Sequence, residues 1–210
     1  AALVDDARTQ GVIFTGSTAV ARAIQKRLAG RLTRRGRPVL LIAETGGINA
    51  MIVDSSALAE QVVGDVVASA FNSAGQRCSA LRILCLQEEI ADRTLAMLIG
   101  AMRELTVGPP TGLSTDVGPI ISAEARDSVL AHIATMRARG FAIHQAPLDE
   151  ATDTGAYVAP TIIEIGAISD VEREVFGPVL HVLRYRRAAL DRLVDAINAC
   201  TCPCTARTMA

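Results

Sequence analysis

The sequence predicts an α/β protein with a mostly parallel sheet. Three observations predict it: short apolar runs bounded by Gly, Ser or Pro, apolar residues at helical spacing between those runs, and their alternation along the chain to about residue 198. The length of 210 residues is ample for a core, as one large domain or parts of two. With 50% hydrophobic and 20% charged residues the chain reads as globular rather than disordered.

The elements follow in order. Gly11 to Thr15 is a short apolar strand that ends at Gly16-Ser17-Thr18. Val20, Ile24, Leu28 and Leu32 recur every four residues, one face of a helix. Arg34-Arg35-Gly36 ends that helix, and Pro38 opens Val39 to Ala43, which reads as a buried parallel strand. Together they make a βαβ unit. Ala50 to Val53 is another short strand, and Val62, Val63, Val66, Val67 and Phe71 mark the helix that follows. Arg82 to Leu86 is a strand by its apolar run. Leu95, Leu98, Ile99, Met102 and Leu105 mark a helix, as do Val129, Leu130, Ile133 and Met136. Phe141 to His144 and Val179 to Leu183 are strands, and Leu190, Leu193, Val194 and Ile197 close with an amphipathic helix.

Composition narrows the function classes. A net charge of −1 gives no basic footprint for nucleic acid and no polybasic membrane patch. No apolar run approaches the length of a transmembrane helix, and the amino terminus has neither the charged nor the apolar region of a signal peptide. It does not begin with Met, so an upstream part is expected. Five cysteines do not make a secreted disulfide framework at this length, and a reducing, cytoplasmic location is expected. Cys200, Cys202 and Cys204 crowd a tail without hydrophobic period. Structural zinc needs four ligands at wider spacing, so no metal is expected there.

Four places have residue types that do chemistry. Cys78 lies in Gly-Gln-Arg-Cys-Ser (75–79), between a helix and a strand. A thiol is a useful nucleophile once a positive group or N–H donors favour its thiolate, and Arg77 and the backbone are at hand. A buried structural thiol is the other reading, and it suits Cys85 better. Glu44 ends an apolar strand at the carboxyl edge of the expected sheet, where ligand crevices form. Partly desolvated there, its carboxylate would suit proton shuttling; a solvated strand end or a helix cap is the plain alternative. Gly16 and Ser17 open a helix, a place for a phosphate or for a simple N-cap. Glu174 and Phe176 occupy a turn before the Val179 strand, with Phe176 read as core on general grounds.

In their order these segments resemble the aldehyde dehydrogenase superfamily. The segments are Phe-Thr-Gly-Ser-Thr (14–18), Glu-Thr-Gly-Gly-Ile-Asn (44–49), Gly-Gln-Arg-Cys-Ser-Ala (75–80) and Glu-Val-Phe-Gly-Pro-Val (174–179). The glutamate-to-cysteine spacing, 78 − 44 = 34, is also near the family's. The resemblance implies an aldehyde dehydrogenase-like α/β fold: the later half of a Rossmann-type NAD-binding domain (1–43), most of the α/β catalytic domain (44–198), and an aberrant or disordered tail (199–210). It implies that Cys78 attacks an aldehyde and that Glu44 activates the water that releases the acid. It further implies that Gly16 and Ser17 lie by the pyrophosphate of NAD, that Glu174 binds the nicotinamide-side ribose, and that Phe176 packs near the nicotinamide.

Ile-Ala-Glu-Thr-Gly-Gly (42–47), Asn-Ala-Met-Ile-Val-Asp-Ser-Ser-Ala-Leu (49–58) and Ser-Ala-Gly-Gln-Arg-Cys-Ser-Ala-Leu-Arg (73–82), with Ala21, are similar to one branch. That branch is the L-glutamate γ-semialdehyde (1-pyrroline-5-carboxylate) dehydrogenase module of bifunctional proline-utilisation proteins. It implies a substrate-binding role for Ser79, with a serine bonded to its own loop as the alternative, and a homo-oligomeric full-length parent. The branch's oxyanion-hole Asn and adenosine-ribose Lys would lie upstream of residue 1. Codons for Thr201 to Thr205 read two bases over permit Leu-Ser-Leu-His-Ser, so a frameshift is expected in the tail. A truncated, inactive remnant, or a dehydrogenase for another aldehyde, stands as the second expectation.

Overall fold

The computed structural model describes residues 2–149, 152 and 154–199. The chain forms two compact units, the first ending at Gly47 and the second beginning at Ile48. The cysteine-rich tail and the frameshift expected in it lie outside the described residues.

In the first unit a short helix, α1 (Ala2–Asp5), precedes β1 (Gly11–Thr15), α2 (Thr18–Leu28) and β2 (Leu40–Glu44). The two strands pair in parallel, with Gly11 opposite Leu40 and Thr15 opposite Glu44. The βαβ reading therefore holds. Two details differ. The helix stops at Leu28 rather than carrying the four-residue period to Leu32, which instead bridges to Pro38 across the Arg34–Gly36 turn. Gly36, with φ +71, makes that turn. The strand expected to be buried is mostly exposed, Leu40 at 61% and Ile42 at 44%. Two strands and one long helix supply no second layer to close over it.

The second unit is a five-stranded sheet of order β3-β4-β7-β6-β5. Its strands are β3 (Asn49–Val53), β4 (Leu81–Gln87), β5 (Ile143–Gln145), β6 (Thr161–Ile165) and β7 (Val179–Tyr185). All neighbours run parallel except β5 and β6. β4 is buried at every position, which is what a central parallel strand covered on both faces requires. Its continuous apolar run was the sequence signal for this. Ser122 caps α5 (Ala123–Ala138) by accepting from the Ala125 N–H. The helices α3 (Ala59–Phe71) and α4 (Glu88–Arg103) pack on one another and on β4 and β7. The last helix, α6 (Leu190–Ala199), buries Leu193.

The core comes from the expected helical stripes: Val66, Phe71, Leu98, Met102, Ile133 and Met136 are all buried. Leu130 lies off it, 43% exposed, while Leu105 packs against it from just past the end of α4. β6 has no counterpart in the sequence reading. Among the described residues no helix is long and apolar enough to cross a membrane.

One polar contact joins the last residues of β3 and β7. Tyr185, at the end of β7, donates its hydroxyl to the Val53 carbonyl of β3 at 3.2 Å, reaching past β4. Burial raises the Tyr185 phenol's pKa, first through desolvation. Tyr185→Phe should cost about 1 kcal/mol of unfolding free energy in a urea titration, since a buried carbonyl loses its donor. A variant as stable as the parent would show that the Val53 carbonyl is satisfied without it.

Candidate functional site

The second unit presents Cys78 on a loop built by an unusual backbone. α3 ends at Phe71, and Ser73 (φ 57), Ala74 (φ 52) and Gly75 (φ 64) then follow in left-handed geometry. Ser73 and Ala74 carry a Cβ there, at a cost of order 1–3 kcal/mol each, so the surroundings must hold them. Gly75 admits no other residue. A Cβ on it would stand 2.2 Å from the Gly177 carbonyl oxygen and 2.6 Å from its carbon.

Four side chains supply the restraint. Gln76 donates to the Pro119 carbonyl at 3.1 Å and accepts from the Ile121 N–H at 2.8 Å. Arg77 donates to the Ala68 and Ser69 carbonyls, both at 2.9 Å, capping the last turn of α3 with a positive charge. Asn49, the first residue of β3, donates to the carbonyls of Cys78 at 2.7 Å and Ala80 at 2.9 Å. Arg82 donates to the Arg77 carbonyl at 3.1 Å. The Ala80 N–H closes on that same carbonyl at 3.1 Å, so Cys78 and Ser79 occupy the middle of a tight turn. Both are exposed, and Cys78 is a free thiol.

The segment from Glu174 to Pro178 lies beside this loop. The Gly177 N–H donates to the Val175 carbonyl and the Val179 N–H to the Gly177 carbonyl, two tight reversals in succession. At the middle of the first, Phe176 points outward, 45% exposed, and is not part of the core. Arg82 joins the two segments. Its guanidinium, 1% exposed, donates to the Gly177 carbonyl at 3.2 Å and to Glu174 Oε1 at 3.3 Å, and lies 5.3 Å from the centre of the Phe176 ring. Desolvation pulls this guanidinium's pKa down, and the Glu174 carboxylate opposes it.

The remaining polar groups sit behind the loop. His181 on β7 is fully buried and bonds the Arg82 carbonyl through Nδ1 at 3.0 Å, while its Nε2 lies 2.9 Å from His132 Nε2 of α5. With Nδ1 donating, Nε2 must accept, so His132 presents its Nε2–H. Burial, ahead of repulsion from His132, pushes His181 down to about 4. Cys85 is the buried thiol the sequence indicated; desolvation pushes it up to about 12, where it is inert.

The first unit holds Gly16, Ser17 and Glu44. The Gly16 N–H donates to the Glu44 carbonyl at 3.1 Å, so the strand-to-helix turn and the end of β2 are joined. Ser17 accepts from the Val20 N–H at 3.3 Å and thus is the N-cap of α2. Gly16 and Ser17 are exposed at that helix start. Glu44 is exposed too, rather than partly desolvated as the sequence suggested, because nothing in its own two-stranded sheet covers the strand end. The expected boundary lay before Glu44; the compact units divide after Gly47, which keeps Glu44 with β2. Sequence reasoning assigned no role to Arg82, Asn49, Gln76 or the His132–His181 pair. The one available signal was that the first three stand inside or beside the quoted motifs. Among the described residues no three His, Cys, Asp or Glu are arranged to hold a metal.

Comparison with known proteins follows the same segments. The sequence model described as "Aldehyde dehydrogenase family" matches residues 1–206. The bifunctional protein PutA of Klebsiella aerogenes is 58% identical over 204 residues, 95% of this chain and 16% of that protein. A 1-pyrroline-5-carboxylate dehydrogenase of Bacillus cytotoxicus is 34% identical over 180 residues, 85% of this chain and 35% of that protein. A crystal structure of a mutant Bradyrhizobium japonicum proline utilization A (PutA) superposes with a TM-score of 0.86 at 49% identity, covering 95% of this chain and 20% of that one. PnpE in complex with nicotinamide adenine dinucleotide superposes at 0.81 with 33% identity, covering 90% of this chain and 39% of that one. The chain thus spans about a sixth to a fifth of the length of its PutA relatives.

Two outcomes follow from the site's geometry. Gly75→Ala should lower unfolding free energy by at least about 2 kcal/mol, since its methyl group meets backbone and not a movable side chain. An unchanged urea midpoint would mean that the two turns are not in contact. His181 gives a pH dependence. Its folded value of about 4 lies below the ordinary 6.5, so above 6.5 neither state takes up a proton there. Between 6.5 and 4 the unfolded chain binds a proton that the folded chain refuses, and stability falls as pH falls. Below 4 both are protonated and the loss, about 3 kcal/mol in all, is complete. His181→Gln, which keeps a donor but cannot titrate, should flatten that slope in urea titrations from pH 7.5 to 4; equal slopes would remove His181 as the cause.

Proposed function

This chain belongs to the aldehyde dehydrogenase family, and from that premise we propose that its chemistry is the NAD-dependent oxidation of L-glutamate γ-semialdehyde to L-glutamate. The observation that carries the reading is Cys78: a free, exposed thiol at the middle of a turn whose flanks are pinned by Gln76, Arg77, Asn49 and Arg82. A thiol on a turn held that rigidly, with Arg77 in the turn and the Arg82 guanidinium bonded to it, suits a nucleophile better than a structural cysteine. Identity to proteins named bifunctional PutA and 1-pyrroline-5-carboxylate dehydrogenase supports the substrate.

The residues divide the work as follows. Cys78 Sγ, as thiolate, adds to the aldehyde carbon to give a thiohemiacetal. NAD, when bound, accepts the hydride that leaves this carbon. Cys78 then holds an acyl thioester, and Glu44 takes a proton from the water that attacks it, so that the acid is released and the thiol restored. Ser79, exposed next to Cys78, bonds the far carboxylate of the substrate.

The residues present fit the cofactor. Phe176 is an exposed aromatic ring with Arg82 near its face, and Glu174 beside it offers carboxylate oxygens to a ribose. The exposed Gly16-Ser17 turn opens the eleven-residue helix α2 with N–H groups toward an anion, which suits a pyrophosphate. Free, reduced cysteines go with a cytoplasmic setting, and the intact enzyme is read as a homo-oligomer.

The test is NADH formation from glutamate semialdehyde, run on the 210-residue chain and on the Klebsiella aerogenes protein with the corresponding residues changed. Cys78→Ala should abolish turnover. Glu44→Gln should leave the first burst of NADH and slow steady turnover by about 10²-fold, because only the hydrolysis needs the base. Full turnover by the alanine variant would sink the mechanism.

A further inference from the structure

The Arg82 guanidinium donates both to the nucleophile turn and to the Glu174–Gly177 segment. We propose that Arg82 is a positioning residue that makes these two segments behave as one piece, so that the presentation of the Cys78 thiol depends on the state of Glu174. This deepens the dehydrogenase reading and rests on it, since only there does Glu174 belong to the cofactor side.

The geometry supports the linkage at each end. One nitrogen serves both the Arg77 carbonyl, one residue before the nucleophile, and the Glu174 carboxylate; the other serves the Gly177 carbonyl. The guanidinium carbon of Arg82 lies over the Phe176 ring, 5.3 Å from its centre. The backbone of Arg82 stands where the β3–β4 register shifts, one residue before the β4–β7 pairing begins at Ile83, and its carbonyl is held by the His181 Nδ1 bond. The anchor is thus held at its carbonyl, while both attached segments are turns. The turn carrying the thiol also follows two residues held in left-handed geometry, Ser73 and Ala74, which relax if the hold is lost. A lysine cannot substitute: one ammonium does not present a planar fork to three separate acceptors.

An ion pair this buried is poor evidence for stability alone. Its desolvation offsets much of its attraction, and Arg82 Nε is left without a partner. A hydrophobic residue of similar length would fill the space. What the guanidinium adds is a connection between three acceptors on two segments.

The experiment uses the full chain, without cofactor or aldehyde, and measures iodoacetamide labelling of each cysteine by peptide mass spectrometry. Cys85 is the internal control, because it lies three residues from Arg82 and is fully buried. Arg82→Met should slow Cys78 labelling about tenfold while Cys85 remains protected, and Arg82→Lys should restore only part of it. Glu174→Gln should alter the Cys78 rate in the parent and have no further effect in the Arg82→Met background.

Cys78 labelling within about twofold of the parent in Arg82→Met overturns the proposal, as does equal response to Glu174→Gln in both backgrounds. Labelling of Cys85 together with Cys78 in both Arg82 variants also overturns it, because Arg82 would then only hold the fold. The functional reading fails separately: the linkage pattern without any NADH formation refutes the dehydrogenase reading alone, and turnover with unchanged labelling refutes the linkage alone.

Discussion

A guanidinium buried to 1% exposure imposes the constraint from which the site is built. Arg82 cannot shed its proton, so the fold must bring acceptors to it. It finds them in two turns far apart in sequence, and those turns are the ones that carry Cys78 and Glu174. The strand beneath is buried at every position, which keeps the donor still. Removing one acceptor leaves charge stranded in a dry interior, a loss of about 3–5 kcal/mol for buried pairs in general. Loop geometry, strand burial and ion pairing are thus a single requirement seen from three sides.

The same constraint explains which parts were legible in the sequence. β4 and β7 stood out because strands covered on both faces are apolar throughout, and Leu81–Gln87 and Val179–Tyr185 nearly are. α3, α4 and α5 stood out by their stripes, whose inner residues are buried as expected. β6 did not, because Thr161–Ile165 is a five-residue run whose role is set by β7 and β5 rather than by its own period. The α2 pattern ran on to Leu32 because a period carries no stop of its own; the Arg34–Gly36 turn draws the chain back first. β2 looked buried because Leu-Leu-Ile-Ala is apolar, whereas burial needs a covering layer that two strands do not provide.

At the site, residue types were readable and partners were not. Cys78, Ser79, Glu174 and Phe176 could be named from their motifs, and the structure sets the first pair on one turn and the second on the turn beside it. Arg82 looked like the start of a strand. Its role depends on residues 92 and 95 positions away, a distance over which no local pattern operates. Asn49 is similar, since its amide matters only once β3 lies alongside the end of the loop. His132 and His181 lie 49 positions apart and gave no signal. Gly16 and Glu44 belong to the first unit, where their backbones are joined and the Glu44 side chain is open to solvent.

The near-contact of Gly75 with the Gly177 carbonyl has a consequence for how such a sequence can change over generations. Main chain meets main chain there, so a side chain introduced at Gly75 cannot be accommodated by trimming a neighbour's side chain. Most packing defects have second-site repairs; this one leaves few. Gly177 is constrained in turn, since a Cβ on it would come within 2.8 Å of Val129, although there a smaller residue in place of the valine offers an escape. The Gly-Gln-Arg-Cys-Ser-Ala motif and the Glu-Val-Phe-Gly-Pro motif are therefore coupled as a heritable pair. A recombination that joins the two from different lineages succeeds only if both backbones keep their course.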